Sequence, residues 1–238
     1  MLLAIDTATD RASIALGVPG AVPLEETIGG SRRHAAGLLP AVQALLERAG
    51  ASLNDVSGIA VSDGPGSFTG LRVGASVAKA LVQARGLPLW VAPSLMVRAA
   101  GVARDEGLVL AVANALRGEV YAAAYRFHPG RIVVELAPSV QRPSELAGGS
   151  LRPSILVGEA PPDIVAVLEN WVGHALIGPP DGSPHASRLL DLVGKSGGAI
   201  RVDGVAEWEP TYGRPAEAQA RWEIAHGRPL PDPVGGPR

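Results

Sequence analysis

The stretch "SDGPGSFTGLRVG", residues 62–74, joins the short apolar run "GIAV" to a long helical pattern. Four glycines and a proline this close together suggest a phosphate loop, but the spacing fits none of the strict kinds. A Walker loop ends in Gly-Lys-Ser/Thr, with the lysine on the phosphates; here Gly70 is followed by Leu71. The dinucleotide fingerprint needs G-x-G-x-x-G, and the run Gly64, Gly66, Gly70 is one residue too long. A nucleophile elbow flanks its serine with glycines two residues away on each side; Ser67 has Pro65 and Thr69 there. Two readings remain. The amides around Gly64, Gly66, Ser67 and Thr69 could hold an anion at a helix start. Alternatively the loop is a tight strand-to-helix turn, capped by Ser67 or Thr69.

The helix that follows runs to about Arg85 and carries two apolar seams. Gly70, Gly74, Val77, Leu81 and Ala84 form one; Leu71, Ala75, Ala78 and Val82 form the other. An ordinary surface helix has a single apolar face. The preceding helix, expected from Ser31 to about Ala49, offers small residues at Gly37, Ala41 and Ala44. One expectation is that Gly37, Ala41, Ala44, Leu71, Ala75, Ala78 and Val82 form a partner interface. The other is that the two helices pack on each other.

Upstream, "LLAI" reads as a buried strand ending at Asp6, with "ASIALG" pairing back as a hairpin and "AVPLEET" as a third strand. Downstream, "LPLWVA" reads as a strand and residues 95–106 as a helix, with Ser94 as a candidate cap. Then the pattern restarts. "LAVANALRGEVYAAAYRF", residues 110–127, repeats the strand, turn and alternating strand of the N-terminus and lays Asn114 over Asp6. Two related α/β units are expected, over residues 1–98 and 99–214, followed by a segment 215–238 with a disordered Pro/Gly-rich end. "SILVGEAPPDIVAVL" predicts a strand and a helix, and residues 186–193 a further helix.

Composition narrows the chemistry. The chain has 238 residues and a net charge of -2, so no basic footprint for nucleic acid is visible. It has no cysteine, which excludes disulfides, thiolate nucleophiles and thiolate metal sites. The start "MLLAID" lacks the features of a signal peptide. No apolar run nears the ~20 residues of a membrane span. The expectation is a soluble cytoplasmic protein. None of the five histidines is paired at helical ligand spacing, so no metal site is expected. Asp6, at a strand end, is either a ligand-directed carboxylate or a turn residue bonding its own backbone. Asn114 cannot act as a general base. Alternation puts Glu119, Tyr121 and Tyr125 on one half-exposed sheet face. No catalytic residue is assigned.

Six blocks, in order, resemble the motifs of the TsaB (YeaZ) family: "LLAIDTATDRASIAL", "RRHAAGLLPAVQALL", "DGPGSFTGLRVGASVAKAL", "PSLMVRAA", "ALRGEVYAAAYR" and "EPTYGR". The resemblance runs from Leu2 to about Arg214. It implies an actin-like (ASKHA, RNase H-like) fold of two related α/β domains. It implies work on threonylcarbamoyladenosine at adenosine 37 of tRNAs that read codons beginning with adenine. It also implies a non-catalytic subunit docked directly on the paralogue TsaD through its N-terminal helices, with the ATPase TsaE and tRNA reached through the complex. The same surface could make a homodimer when the chain is alone. The metal-holding histidine pair of the TsaD-like relatives is absent from "WVAPSLMVRAAGVARDEG". The chain is therefore expected to require no cofactor, with ATP or ADP a candidate only at a subunit junction. The alternative is an autonomous actin-like enzyme, a small-molecule kinase or ATPase or an M22-type glycoprotease.

Overall fold

The computed structural model describes residues 1–30, 34–104, 107–213 and 226–227. The expected start of the first helix at Ser31 and almost all of segment 215–238 lie outside the described residues. Strands β1 (Leu2–Asp6), β2 (Arg11–Gly17) and β3 (Leu24–Gly29) form an antiparallel meander. Helix α1 (His34–Arg48) leads to β4 (Gly58–Ser62), which lies parallel to β1. Helix α2 (Phe68–Arg85) leads to β5 (Leu89–Ala92), parallel to β4, and α3 (Ser94–Val102) follows.

The second half restarts the pattern. Strands β6 (Leu108–Asn114), β7 (Val120–His128) and β8 (Arg131–Gln141) form another meander. After α4 (Pro143–Gly148), β9 (Ile155–Gly158) pairs in parallel with β6, as β4 does with β1. Helices α5 (Pro162–Val172) and α6 (Ala186–Leu192) follow, then β10 (Ile200–Val202). The sheet orders are β10-β5-β4-β1-β2-β3 and β8-β7-β6-β9.

Alternation along the strands explains the layers. In β1, Leu3 and Ile5 point into a core with Leu38, Val42 and Leu45 of α1 and Ala78 and Val82 of α2. Leu2 and Ala4 point the other way, into a core shared by both sheets, α3 and α6. In β6, Val109 and Ala111 join that central core, while Leu108, Leu110 and Val112 face α4 and α5. Both faces of the central strands β1, β4 and β6 are covered, which is why these strands read as unbroken apolar runs.

Two departures from expectation follow from long-range packing. Tyr121 and Tyr125 do not lie on a half-exposed face; Tyr125 is fully buried in the central core. Alternation sets which residues share the face, but the layer that covers it comes from α3 and the opposite sheet. The chain also does not keep residues 99–214 apart from the first sheet. Helix α6 packs on β1, β2 and β4, and β10 extends the first sheet beside β5.

Candidate functional site

The glycine loop is built by what crosses it. The turn after β1, Thr7–Ala8, passes over the start of α2. A Cβ at Gly66 would collide with the Ala8 carbonyl oxygen, one at Gly70 with the Thr7 carbonyl oxygen and one at Gly74 with Thr7 Oγ1. Gly64, at φ +99°, abuts the Thr211 carbonyl. Its amide plane continues into a cis bond to Pro65. The glycines therefore make room for backbone.

The donors point to the same use. The Ser67 amide donates to the Ala8 oxygen at 2.7 Å, and Ser67 Oγ caps the helix by accepting from the Gly70 amide at 3.2 Å. Of the residues in the anion reading, Gly64, Gly66, Ser67 and Thr69, the first three thus help to build the turn. Ser67 is spent as a cap, Gly64 and Gly66 are close-approach positions, and Thr69 points outward.

The expected interface residues are corrected. Leu71, Ala75, Ala78 and Val82 are all buried, Ala78 completely, because α2 lays this seam on the first sheet. Thr7 closes the other seam at Gly70 and Gly74 only; further along it Val77 and Leu81 are half-buried and Ala84 is exposed. On α1, Gly37 lies against Ile28 of β3, Ala41 is half-buried and only Ala44 is exposed. The outward face of α2 is a third stripe, Thr69, Arg72, Val73, Ser76, Val77 and Ala80. On α1, Leu39 is 54% exposed and Pro40 lies beside it in the sequence.

A strap from the C-terminal half braces this face. The Thr211 amide donates to the Asp63 carbonyl at 2.8 Å, and its hydroxyl donates to Asp63 Oδ2 at 3.1 Å. Lys79 Nζ pairs with Glu209 at 3.0 Å and donates to the Ala206 carbonyl. Tyr212 stacks at a tilt on Phe68, with centroids 4.7 Å apart. This is the block "EPTYGR" at work, and nothing in its local pattern announces a partner more than a hundred residues upstream.

Between the sheets lies a cleft of about 330 Å³ whose walls include Thr9, Asp10, Ser94, Arg98, Asn114 and Glu159. The turns after β1 and β6 flank it and match. Asp6 Oδ1 accepts from the Ala8 amide at 3.1 Å, and Asn114 Oδ1 accepts from the Leu116 amide at 2.8 Å. Asp6 is fully buried. Burial pushes its carboxyl above the ordinary range, against the Ser62 hydroxyl, the Ala8 amide and the charges of Arg98 and His185. An acid sealed from solvent and bonded to its own turn is poorly placed to exchange a proton with a ligand. Arg98, 2% exposed, pairs with Glu159 at 3.0 Å across the cleft wall. Among the described residues no group of three or more His, Cys, Asp or Glu side chains could hold a metal ion.

Of the histidines, His185 has a clear structural role. Its Nδ1 lies 3.6 Å from Glu25 of β3, and Glu25 also accepts from the Ser187 amide and hydroxyl. This ties the start of α6 to the first meander. No sequence signal pairs residues 25 and 185.

The family model described as "TsaD: tRNA N6-adenosine threonylcarbamoyltransferase" matches residues 18–158. The tRNA threonylcarbamoyladenosine biosynthesis protein TsaB of Bacillus subtilis is 31% identical over 226 residues, covering 92% of this chain and 96% of that relative. The TsaB protein of Escherichia coli is 42% identical over 127 residues, and that match spans about half of either chain, 52% and 54%. The solved structure of YeaZ from Pseudomonas aeruginosa is similar with a TM-score of 0.62 and 31% identity, covering 81% of this chain and 90% of that one.

Proposed function

The chain belongs to the TsaB family, and from that membership we propose that it is a non-catalytic subunit in the making of threonylcarbamoyladenosine on tRNA. In this reading it docks on a TsaD-type subunit through the outward faces of α1 and α2, and reaches TsaE and tRNA through the complex. Alone, it can use the same faces to meet a second copy. It works in the cytoplasm and needs no cofactor of its own; a nucleotide would belong to a junction between subunits.

The observation that carries the reading is the state of the acid at the end of β1, behind the cleft wall. Asp6 is buried and bonded to its own turn, and the equivalent position of the second unit is an asparagine, Asn114, bonded in the same way. At the strand-end position that the two units share, neither Asp6 nor Asn114 can therefore serve as a general base; the cleft carboxylates within reach of solvent are Asp10 and Glu159, and Glu159 is paired with Arg98. What the fold does expose is a braced helix face of mixed apolar and polar residues.

Reconstitution tests it. The full chain is mixed with TsaD, TsaE, ATP, tRNA and threonylcarbamoyl-adenylate, and modified tRNA is counted against the same mixture without the chain. Modification is expected to depend on the chain and to survive Asp6→Asn. Equal modification without it overturns the reading. So does ATP or peptide hydrolysis by the pure chain that Asp6→Ala abolishes.

A further inference from the structure

We propose that Arg72 reads a carboxylate on the partner: it is the cation placed to receive an Asp or Glu side chain from a helix of the TsaD-type subunit. This rests on the docking reading above and names the chemistry of that contact.

Arg72 is exposed on the outward face of α2, yet it is held. Its guanidinium carbon sits 4.2 Å from the Phe68 ring centroid and 5.6 Å from that of Tyr212. The rings are fixed in turn. Tyr212 donates its hydroxyl to Glu209 at 3.2 Å, and the neighbouring Thr211 is bonded to Asp63. Stacking uses the face of a guanidinium and leaves its in-plane N–H groups free. Among the described residues no carboxylate or carbonyl takes them. The contrast is Lys79, two turns on, which lies over Trp208 and is already neutralised by Glu209.

The surroundings select the partner. Arg72 borders a surface groove of about 480 Å³ whose other walls are Phe68, Thr69, Val73, Ser76 and Val77. An apolar ridge seated on Val73 and Val77 would exclude water from the guanidinium, which strengthens a charge-assisted bond there. A pre-stacked arginine also has less side-chain freedom to lose on binding. A nucleic-acid backbone would want several uncommitted cations along one track. Here the neighbouring Lys79 is tied, and the chain carries a net charge of -2. One free guanidinium beside an apolar groove fits a single carboxylate on an amphipathic helix.

The test is titration calorimetry of the full chain against the TsaD-type subunit at several salt concentrations. Arg72→Ala is expected to weaken docking about 10-fold or more and to flatten its salt dependence. Arg72→Lys should recover little, because an ammonium neither stacks as a plane nor binds bidentately. Arg131→Ala, which removes an exposed cation from β8 in the second sheet, should dock like the unaltered chain. All three variants should melt within about 2 °C of it, since surface substitutions shift stability little. Docking by Arg72→Ala within twofold of the unaltered chain overturns the proposal while leaving the docking reading intact. So does loss of direct tRNA binding on Arg72→Ala with docking unchanged. Failure of the unaltered chain to dock overturns both.

Discussion

Replacing Gly70 by alanine separates close approach from anion binding as the reason for the glycines in residues 62–74. In an exposed helix the change should stabilise by about 1 kcal/mol, because alanine loses less backbone freedom than glycine. At Gly70 the new methyl would meet the carbonyl oxygen of Thr7. Thr7 is fully buried and Ala8 is 3% exposed, so that turn has little room to retreat. Overpacking of this kind costs about 1–3 kcal/mol, and here it falls on backbone, which places it in the upper part of that range. The net expectation is a loss of about 1–2 kcal/mol. For a chain of this size that lowers the melting temperature by about 2–8 °C. Two companions calibrate the result. Gly74→Ala meets only the Thr7 hydroxyl, which can rotate, and should cost less. Gly101→Ala in α3 has nothing within 4 Å of its new methyl and should raise the melting temperature. Thermal and urea unfolding of the three variants decides it. If Gly70→Ala melts at or above the unaltered chain, the Thr7 contact does not explain the glycine.

Three further outcomes follow from the same geometry. Glu25 holds the His185 imidazolium above its ordinary 6.5; burial works to raise Glu25, but His185 and Ser187 outweigh it and keep that carboxyl below 4.5. The histidine's contribution is full below pH 6.5 and fades as pH rises through its raised value, and the glutamate's is full above pH 4.5 and fades as pH falls through its lowered value. The melting difference between the unaltered chain and His185→Gln should therefore be largest between pH 4.5 and 6.5 and shrink on both sides, with a plateau below about 1 kcal/mol for this part-exposed pair. A difference that grows above neutrality would contradict the pairing. Asp6, raised above 3.8 by burial, costs stability once ionised, so Asp6→Asn should match the unaltered chain below pH 3.8 and exceed it at neutral pH. Lower neutral stability of that variant would show that the charge is needed. Finally, Ala78→Arg should fail to fold, since burying an unpaired cation costs several kcal/mol. Ser76→Arg, on the outward stripe, should fold normally and dock weakly on a TsaD-type subunit; circular dichroism and calorimetry distinguish the two.

Much of the fold is legible in local pattern. The apolar run and turn of β1, the restart at residue 110, the cap at Ser67 and the length of α2 all come from contacts within a few residues or from strong periodicity. What local pattern cannot show is which layer covers a face. Two apolar seams on α2 look like a sheet contact plus a partner contact. In the structure the turn at Thr7–Ala8, more than sixty residues upstream, closes one of them at Gly70 and Gly74, and the outward stripe is a less apolar third side. Strand β10 has three residues, two of them exposed, and is a strand only because the edge of β5 is free to pair with it. The strap is invisible for the same reason. Thr211 and Asp63 are ordinary residues until the chain returns to bring them together.

The matched turns after β1 and β6 say what the cleft retains. Both strands pair antiparallel with the next strand and parallel with a later one, so Asp6 and Asn114 are equivalent by topology as well as by sequence. Both place one side-chain oxygen on the amide two residues ahead. A carboxylate and a carboxamide do this equally well, so the turn requires an acceptor and not a charge. In the first unit the turn has a second task, because its carbonyls at Thr7 and Ala8 are the surfaces on which Gly66 and Gly70 rest. The element that borders the cleft on one side thus positions α2 on the other. Substitutions that keep the acceptor should leave docking untouched, and those that remove it, such as Asp6→Ala, should disturb the α2 face although Asp6 itself is buried at the end of β1.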